Sequence, residues 1–272
     1  RLGNLLHQKN RHEYILSTKV GRVYRPFKGD PVLFDGSPWV GGLPFEWNFD
    51  YSAAGFERSF LDSTMRLGLN QIDLLVIHDL DRSYHGKSVS NKLQELETGM
   101  EWLKMMKNSA AIQAFGAGIN DIEMIPLFLE HFELDFFLVA MPYTLLNQEP
   151  LEDIFPECER RGIGIIIGSP YASGVLASGS KEESKYGYAT ASEEMRKKVR
   201  SIEVICEDYG IPLKAAALQF PLAHPQVSSV IPGSLSAAQV LDNIEMLKCP
   251  IPPELWIELK HTGLLHPEAP VK

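Results

Sequence analysis

Six short apolar runs alternate with amphipathic stretches along this chain, and that alternation constrains its fold more than any other feature. The runs lie at 14–20, 72–78, 111–117, 135–141, 163–168 and 227–231, each bounded by turn-forming or polar residues, and they read as buried strands. Between them, Ser52 is placed to cap a helix that carries Phe56, Phe60 and Met65 on one side and ends at Gly68. The next crossover carries Leu93, Leu96, Met100, Leu103 and Met106, and helical patterns follow at about 121–132, 149–161, 192–209, 213–223, 236–247 and 253–263. Strands that are apolar throughout and separated by helices describe a parallel sheet covered on both faces. A doubly wound dinucleotide domain would carry GxGxxG between a strand and a helix, and none follows any run. The spacing therefore predicts an α/β fold of the (β/α)8 TIM barrel type. Eight units make such a barrel and six are counted. RLGNLL at the start reads as the last turns of a helix, so the expectation is a single barrel domain over 1–272 whose first two β/α units precede Arg1.

Composition excludes several function classes. The net charge is −9 and the densest basic cluster is RKK at 196–198, which argues against a nucleic-acid groove and for small-molecule partners. Cys158, Cys206 and Cys249 stand far apart without metal-ligand spacing and read as reduced, inert thiols of a cytoplasmic protein. No apolar run reaches the length of a membrane span and no signal-peptide pattern is present, so no membrane partner is expected. The oligomeric state is open at this level.

Two runs end on ionisable residues: STKVGR at 17–22 carries Lys19, and IDLLVIHD at 72–79 carries His78. A buried run that stops at Lys or His lifts that residue to the rim of the sheet, and in a barrel the rim at the strand C-termini is where chemistry takes place. A neutral imidazole there can hydrogen-bond a substrate oxygen, while a Lys can tune the acidity of a third group. Asn120 and Tyr143 follow the next two strands. Residues 22–51, rich in Gly, Pro and aromatics, and 172–191, small and polar, read as long loops on the same rim, the first as a pocket cover.

STKVGR, FDYSAAG at 49–55, RLGLNQIDLLVIHD, AFGAGIN, MPYTLLNQ, IGSPYASGVLA at 167–177, LQFPLAHPQVSSVIPGS and LWIELKHTGLL together resemble the aldo-keto reductases. More narrowly they resemble the sugar-dehydrogenase branch, which holds the D-threo-aldose (L-fucose type), L-galactose and pyridoxal 4-dehydrogenases. That resemblance implies hydride transfer between a nicotinamide and a carbonyl or alcohol by a catalytic Tyr, Lys, His and Asp. Lys19 matches the family Lys, which lowers the pKa of the Tyr, and His78 matches the His that orients the substrate oxygen. The family's Asp and Tyr belong to the second strand and the loop after it, and are expected upstream of Arg1.

The resemblance also implies a nicotinamide site. Asn120 matches the carboxamide-holding Asn, with Gly118 where a Ser is usual, and Gly168 stands where many relatives place a stacking Tyr. Ser169 keeps the small polar residue that follows, Gly174 to Leu176 resembles the backbone that approaches the pyrophosphate, and Ile231 closes the last strand. NADP-specific members carry a Lys before a Ser and an Arg five residues later for the 2′-phosphate. Here IPGSLSAAQ puts Gly233 and Gln239 at those places, which implies NAD, with NADP disfavoured. Ser234, Gln239, Asp242 and Asn243 remain as adenosine contacts. An NAD preference favours oxidation, and Trp39, Phe45 and Trp47, with Tyr143, are candidates to contact a sugar or aldehyde substrate. Two further readings stay open: a non-catalytic nucleotide-binding subunit of this fold, and a general NADPH aldehyde reductase.

Overall fold

The computed structural model describes residues 2–36, 42–187 and 189–272. Trp39, an expected substrate contact, lies outside the described residues. The chain divides into two compact units, residues 1–118 and 119–272.

In the first unit, α1 (Leu2–Leu6) leads to β1 (Ser17–Val20), then to an antiparallel hairpin of β2 (Arg22–Pro26) and β3 (Phe45–Phe49). α2 (Ala53–Leu67), β4 (Leu74–His78), α3 (Arg82–His85), α4 (Val89–Asn108) and β5 (Ala114–Ile119) follow. β4 pairs in parallel with β1 on one side and with β5 on the other, with Lys19 opposite Val76 and His78 opposite Gly118. Buried Asp73 staples the start of these strands: its carboxylate accepts from Arg11, from Leu16 N and from Gln113 Nε2.

The Ser52 hydroxyl accepts from Gly55 N and begins α2, as its position predicts. Phe56 is fully buried on that helix, whereas Met65 is 80% exposed. Nine residues at about 100° each carry Met65 to the face opposite Phe56, which corrects its expected core position. Leu93, Leu96, Met100 and Leu103 of α4 are buried as their spacing requires. α4 approaches so closely at Gly99 that a Cβ there would stand 2.2 Å from the Tyr51 carbonyl oxygen.

The second unit alternates α5 (Met124–His131), β6 (Phe136–Ala140), α6 (Ile154–Arg160), β7 (Gly164–Gly168), α7 (Val175–Ser178), the two-residue strands β8 (Lys185–Tyr186) and β9 (Ala189–Thr190), α8 (Glu193–Asp208), α9 (Leu213–Gln219), β10 (Val227–Ile231), α10 (Ala237–Lys248) and α11 (Pro253–His261). β7 pairs in parallel with β6 and with β10. Their inner residues, Phe137, Val139, Ile165 and Ile167, are fully buried, and Ala215, Ala216, Ala217 and Leu218 of α9 are equally enclosed.

The six expected strands are all present: the last has the expected bounds, the third runs on to Ile119, and the others are shorter. β1 and β10, expected to be buried, instead carry mostly exposed or half-buried residues, and Ile15 and Ile231 are exposed. The third starts at Ala114 rather than 111 because 109–112 close α4: Ala110 is left-handed (φ 58°) and Ala111 N returns to Met106 O. Both expected loops are partly regular. Residues 22–51 contain the β2–β3 hairpin, and 172–191 contain a 3-10 turn, α7 and the β8–β9 ladder. All three cysteines are free, and burial pushes the thiols of Cys158 and Cys206 up to about 11 and about 12, consistent with inert structural roles. Among the described residues, no helix is long and apolar enough to cross a membrane.

Candidate active site

β1 delivers Lys19 and β4 delivers His78 at neighbouring strand ends of the first unit. The chain turns sharply after β1 at Gly21 (φ +102°), where a Cβ would also press on the Tyr51 ring at 2.9 Å. That turn places Arg22 beside Asp79, the residue after His78. Arg22 Nη2 and Asp79 Oδ2 are 2.6 Å apart and both side chains are buried. The same Oδ2 lies 3.3 Å from His78 Nε2. The Arg22 guanidinium lies over the Trp47 ring at 4.3 Å from its centroid, with Phe49 and Tyr84 at 5.1 and 5.3 Å.

On the other side of His78, fully buried Tyr51 donates its hydroxyl to the His78 carbonyl at 2.9 Å and meets His85 Nε2 at 2.8 Å. The donor in the contact between the phenol and His85 is set by the His85 tautomer. Burial raises the Tyr51 pKa far above its ordinary value, and Asp79 adds to the rise. Tyr51 is therefore a fixed neutral hydroxyl, not an acid/base group. Burial, with Lys19 and Arg22 adding their positive charge, pushes His78 down to about 2, so its ring is neutral at any ordinary pH. Lys19 is also lowered, chiefly by desolvation; Asp79 opposes this, Arg22 adds to it and Asp81 opposes it. Its side chain still reaches solvent, which tempers that shift.

A cavity of about 970 Å³ lies beside this cluster, walled by Arg58, Met65 and Arg66 of α2 and by Tyr24, Phe45 and Trp47 of the hairpin, and it shares Arg22 with the Asp79 pair.

The second unit gathers the other expected residues. Ser169, directly after β7, is left-handed at φ 54° and its N–H donates to Ile231 O. Asn243 of α10 donates to Ser234 Oγ at 3.0 Å and accepts from the Tyr171 hydroxyl at 2.7 Å, tying the turn after β7 to α10. Gln239 caps its own loop by accepting from Leu235 N, and Asp242 is paired with Lys214. Asp79, Met141 and Ser169 each follow a strand with positive φ, and non-glycine strain of this kind gathers at functional sites.

A family model described as the Aldo/keto reductase family matches residues 1–262. The chain belongs to the aldo-keto reductase family. This aldo-keto reductase is 36% identical over 273 residues to a pyridoxal 4-dehydrogenase of Microbacterium luteolum, covering 97% of this chain and 80% of that one. It is 33% identical over 270 residues to a D-threo-aldose 1-dehydrogenase of a Pseudomonas species, covering 97% and 79%. Among solved structures it is similar to the aldo-keto reductase AKR11C1 from Bacillus halodurans in its holo form, with a TM-score of 0.70 at 22% identity over all of this chain and 78% of the other. The fold is accordingly α/β and TIM-barrel-like, and the chain is a nicotinamide-dependent oxidoreductase of the sugar-dehydrogenase branch.

The residues of the second unit suit a nicotinamide nucleotide. Gly174 (φ +104°) and Gly233 present bare backbone, with no atom within 4 Å of the position a Cβ would take, and Gly233 precedes Ser234, which is bonded to Asn243. Asn120 is exposed just past β5. Leu176 is a correction: its side chain is fully buried, and the N–H groups of Gly174, Val175 and Leu176 are bonded within the turn, to Tyr171, Ala172 and Tyr171. Tyr143 is another: its ring is enclosed by Phe155, Phe220 and His224, because MPY dips into the core after β6, so it presents no surface to a substrate. Trp47 gives one face to Arg22 and an edge to Phe49. The sequence reading missed Arg22, Tyr51, Asp79 and Tyr171. Arg22 and Asp79 sit inside the quoted KVGR and IHD motifs, where a charge next to a strand-end Lys or His was the available signal.

Proposed function

We propose that this aldo-keto reductase oxidises an aldose, or a related alcohol such as pyridoxal, with NAD. The observation that carries the reading is a neutral imidazole, His78, at the end of the strand that pairs with the one carrying Lys19, in a chain one-third identical to aldose and pyridoxal dehydrogenases. His78 offers an N–H to the substrate oxygen, and the Lys19 ammonium favours the deprotonated form of whichever hydroxyl gives up its proton beside it. Nicotinamide, when bound, takes up the hydride that the oxidised carbon loses. Ser234 and Asn243 would hold the adenosine end, with Gly174 and Gly233 admitting the nucleotide close to the backbone, while Asn120 would face the carboxamide and Ser169 the neighbouring turn.

The NAD preference rests on charge. Gly233 and Gln239 offer no cation for a 2′-phosphate, and the Lys214 ammonium nearby on α9 is engaged by Asp242. Phe45 and Trp47 have rings that suit the apolar face of a sugar or a pyridine, but the cavity they wall is lined by neither Lys19 nor His78 and does not itself carry the reading. The test is NADH formation with L-fucose, L-galactose, D-arabinose or pyridoxal, repeated with NADP. Turnover with NAD and at least one of these is expected. Tighter binding of NADP than NAD would overturn the cofactor assignment, and no turnover with any of the four would overturn the substrate class.

A further inference from the structure

We propose that Asp79 is a positioning residue of the hydride-transfer centre: anchored by Arg22, its carboxylate orients the His78 imidazole and supplies the negative charge that balances Lys19. The inference rests on the reading of Lys19 and His78 as the catalytic pair.

Three observations converge on it. Asp79 Oδ2 is shared between Arg22 Nη2 at 2.6 Å and His78 Nε2 at 3.3 Å, so one oxygen ties the β2–β3 hairpin to the end of β4. The residue holds a left-handed backbone (φ 49°), which turns the chain sharply just after His78, and its N–H is bonded to Gly118 O, so the position of its carboxylate is fixed from the backbone as well. The anchor is itself held, since the Arg22 guanidinium packs against Trp47, Phe49 and Tyr84 at 4.3, 5.1 and 5.3 Å from their ring centroids.

The consequences are electrostatic. A carboxylate facing Nε2 of a neutral imidazole favours the tautomer with the proton on Nε2, because the alternative sets a lone pair against a negative charge. At 3.3 Å the contact is long, so it favours that tautomer while the same N–H can be shared with a substrate oxygen. The charged groups around Lys19 are Arg22, Asp79 and Asp81, and Asp79 is the foremost of those that favour its ammonium form.

The test is the titration of Lys19 by NMR in the wild-type protein and in Asp79→Asn, a replacement that tolerates the left-handed backbone. The midpoint is expected to fall by about one pH unit in the variant, with nucleotide affinity unchanged. The sign discriminates: a merely loosened site readmits water and raises the midpoint, so an unchanged or raised value contradicts the proposal. Should the variant fail to fold, the wild-type protein answers alone, since the ¹⁵N signals of His78 must report a neutral ring protonated on Nε2, and protonation on Nδ1 contradicts it. Neither readout needs turnover. A protein without NAD-linked oxidation would count against the proposed function while leaving these outcomes to decide the role of Asp79.

Discussion

The Tyr51 hydroxyl donates to the backbone carbonyl of His78 at 2.9 Å, so a residue at the entry to α2 fixes the backbone of the strand-end imidazole. Tyr51→Phe leaves that carbonyl and His85 Nε2 without their partner in a buried setting. A loss of about 1–3 kcal/mol in unfolding free energy is expected, read from urea denaturation. The phenol is not an acid/base group, so the pH profile of any turnover should keep its shape. A variant as stable as the parent contradicts the structural role.

Asn243 links Ser234 to the Tyr171 hydroxyl. Asn243→Ala strands a buried phenol and frees the loop that carries Gly233 and Ser234. The dissociation constant for NAD, followed by Trp fluorescence, should rise roughly tenfold, equal to about 1.4 kcal/mol. An unchanged constant would remove Asn243 from the nucleotide site.

Gly233 has open space where a side chain would go. Gly233→Lys therefore adds an ammonium without a clash, and a charge-assisted contact to a 2′-phosphate is worth about 1.5–3 kcal/mol. The ratio of NADP to NAD affinity should rise by roughly ten- to a hundredfold. A ratio that stays constant would show that this loop does not read the 2′ position.

His78 is held at about 2 in the folded protein, against an ordinary value near 6.5. Below pH 6.5 the unfolded chain binds a proton there that the native state refuses. The contribution of His78 to stability is thus highest above about pH 6.5 and declines, by at most about 1.4 kcal/mol per pH unit, as the pH falls toward 2. In His78→Asn that decline disappears. Stability measured at pH 7 and pH 5 should drop less in the variant than in the parent, and an equal drop contradicts the buried neutral imidazole.

Much of this was legible in the sequence. The strands at 72–78 and 163–168 are runs of Ile, Leu and Val that only a covered parallel sheet accommodates, and Ser52 and Gly68 mark the ends of their helix. His78 stands out because it ends a buried run, whereas β1 is half exposed and Lys19 stands out by its place at the strand end alone. The hairpin over 22–49 was hidden because its two five-residue strands are separated by a long connection, so no alternation accumulates. Tyr143 misled because position after a strand says nothing about which way the ring turns; the apolar Phe155 and Phe220 that enclose it lie far along the chain. Arg22 and Asp79 escaped because an ion pair between residues 57 positions apart is set by the fold, not by local pattern.

The central claim is that Lys19 and His78 belong to an NAD-linked dehydrogenase site. Its most direct measurement is single-turnover NADH formation on mixing the protein and NAD with an aldose or pyridoxal, in the parent and in Lys19→Met. NADH formation in the parent, slowed at least a hundredfold in the variant with NAD affinity retained, is the predicted result; equal rates in the two proteins would contradict it.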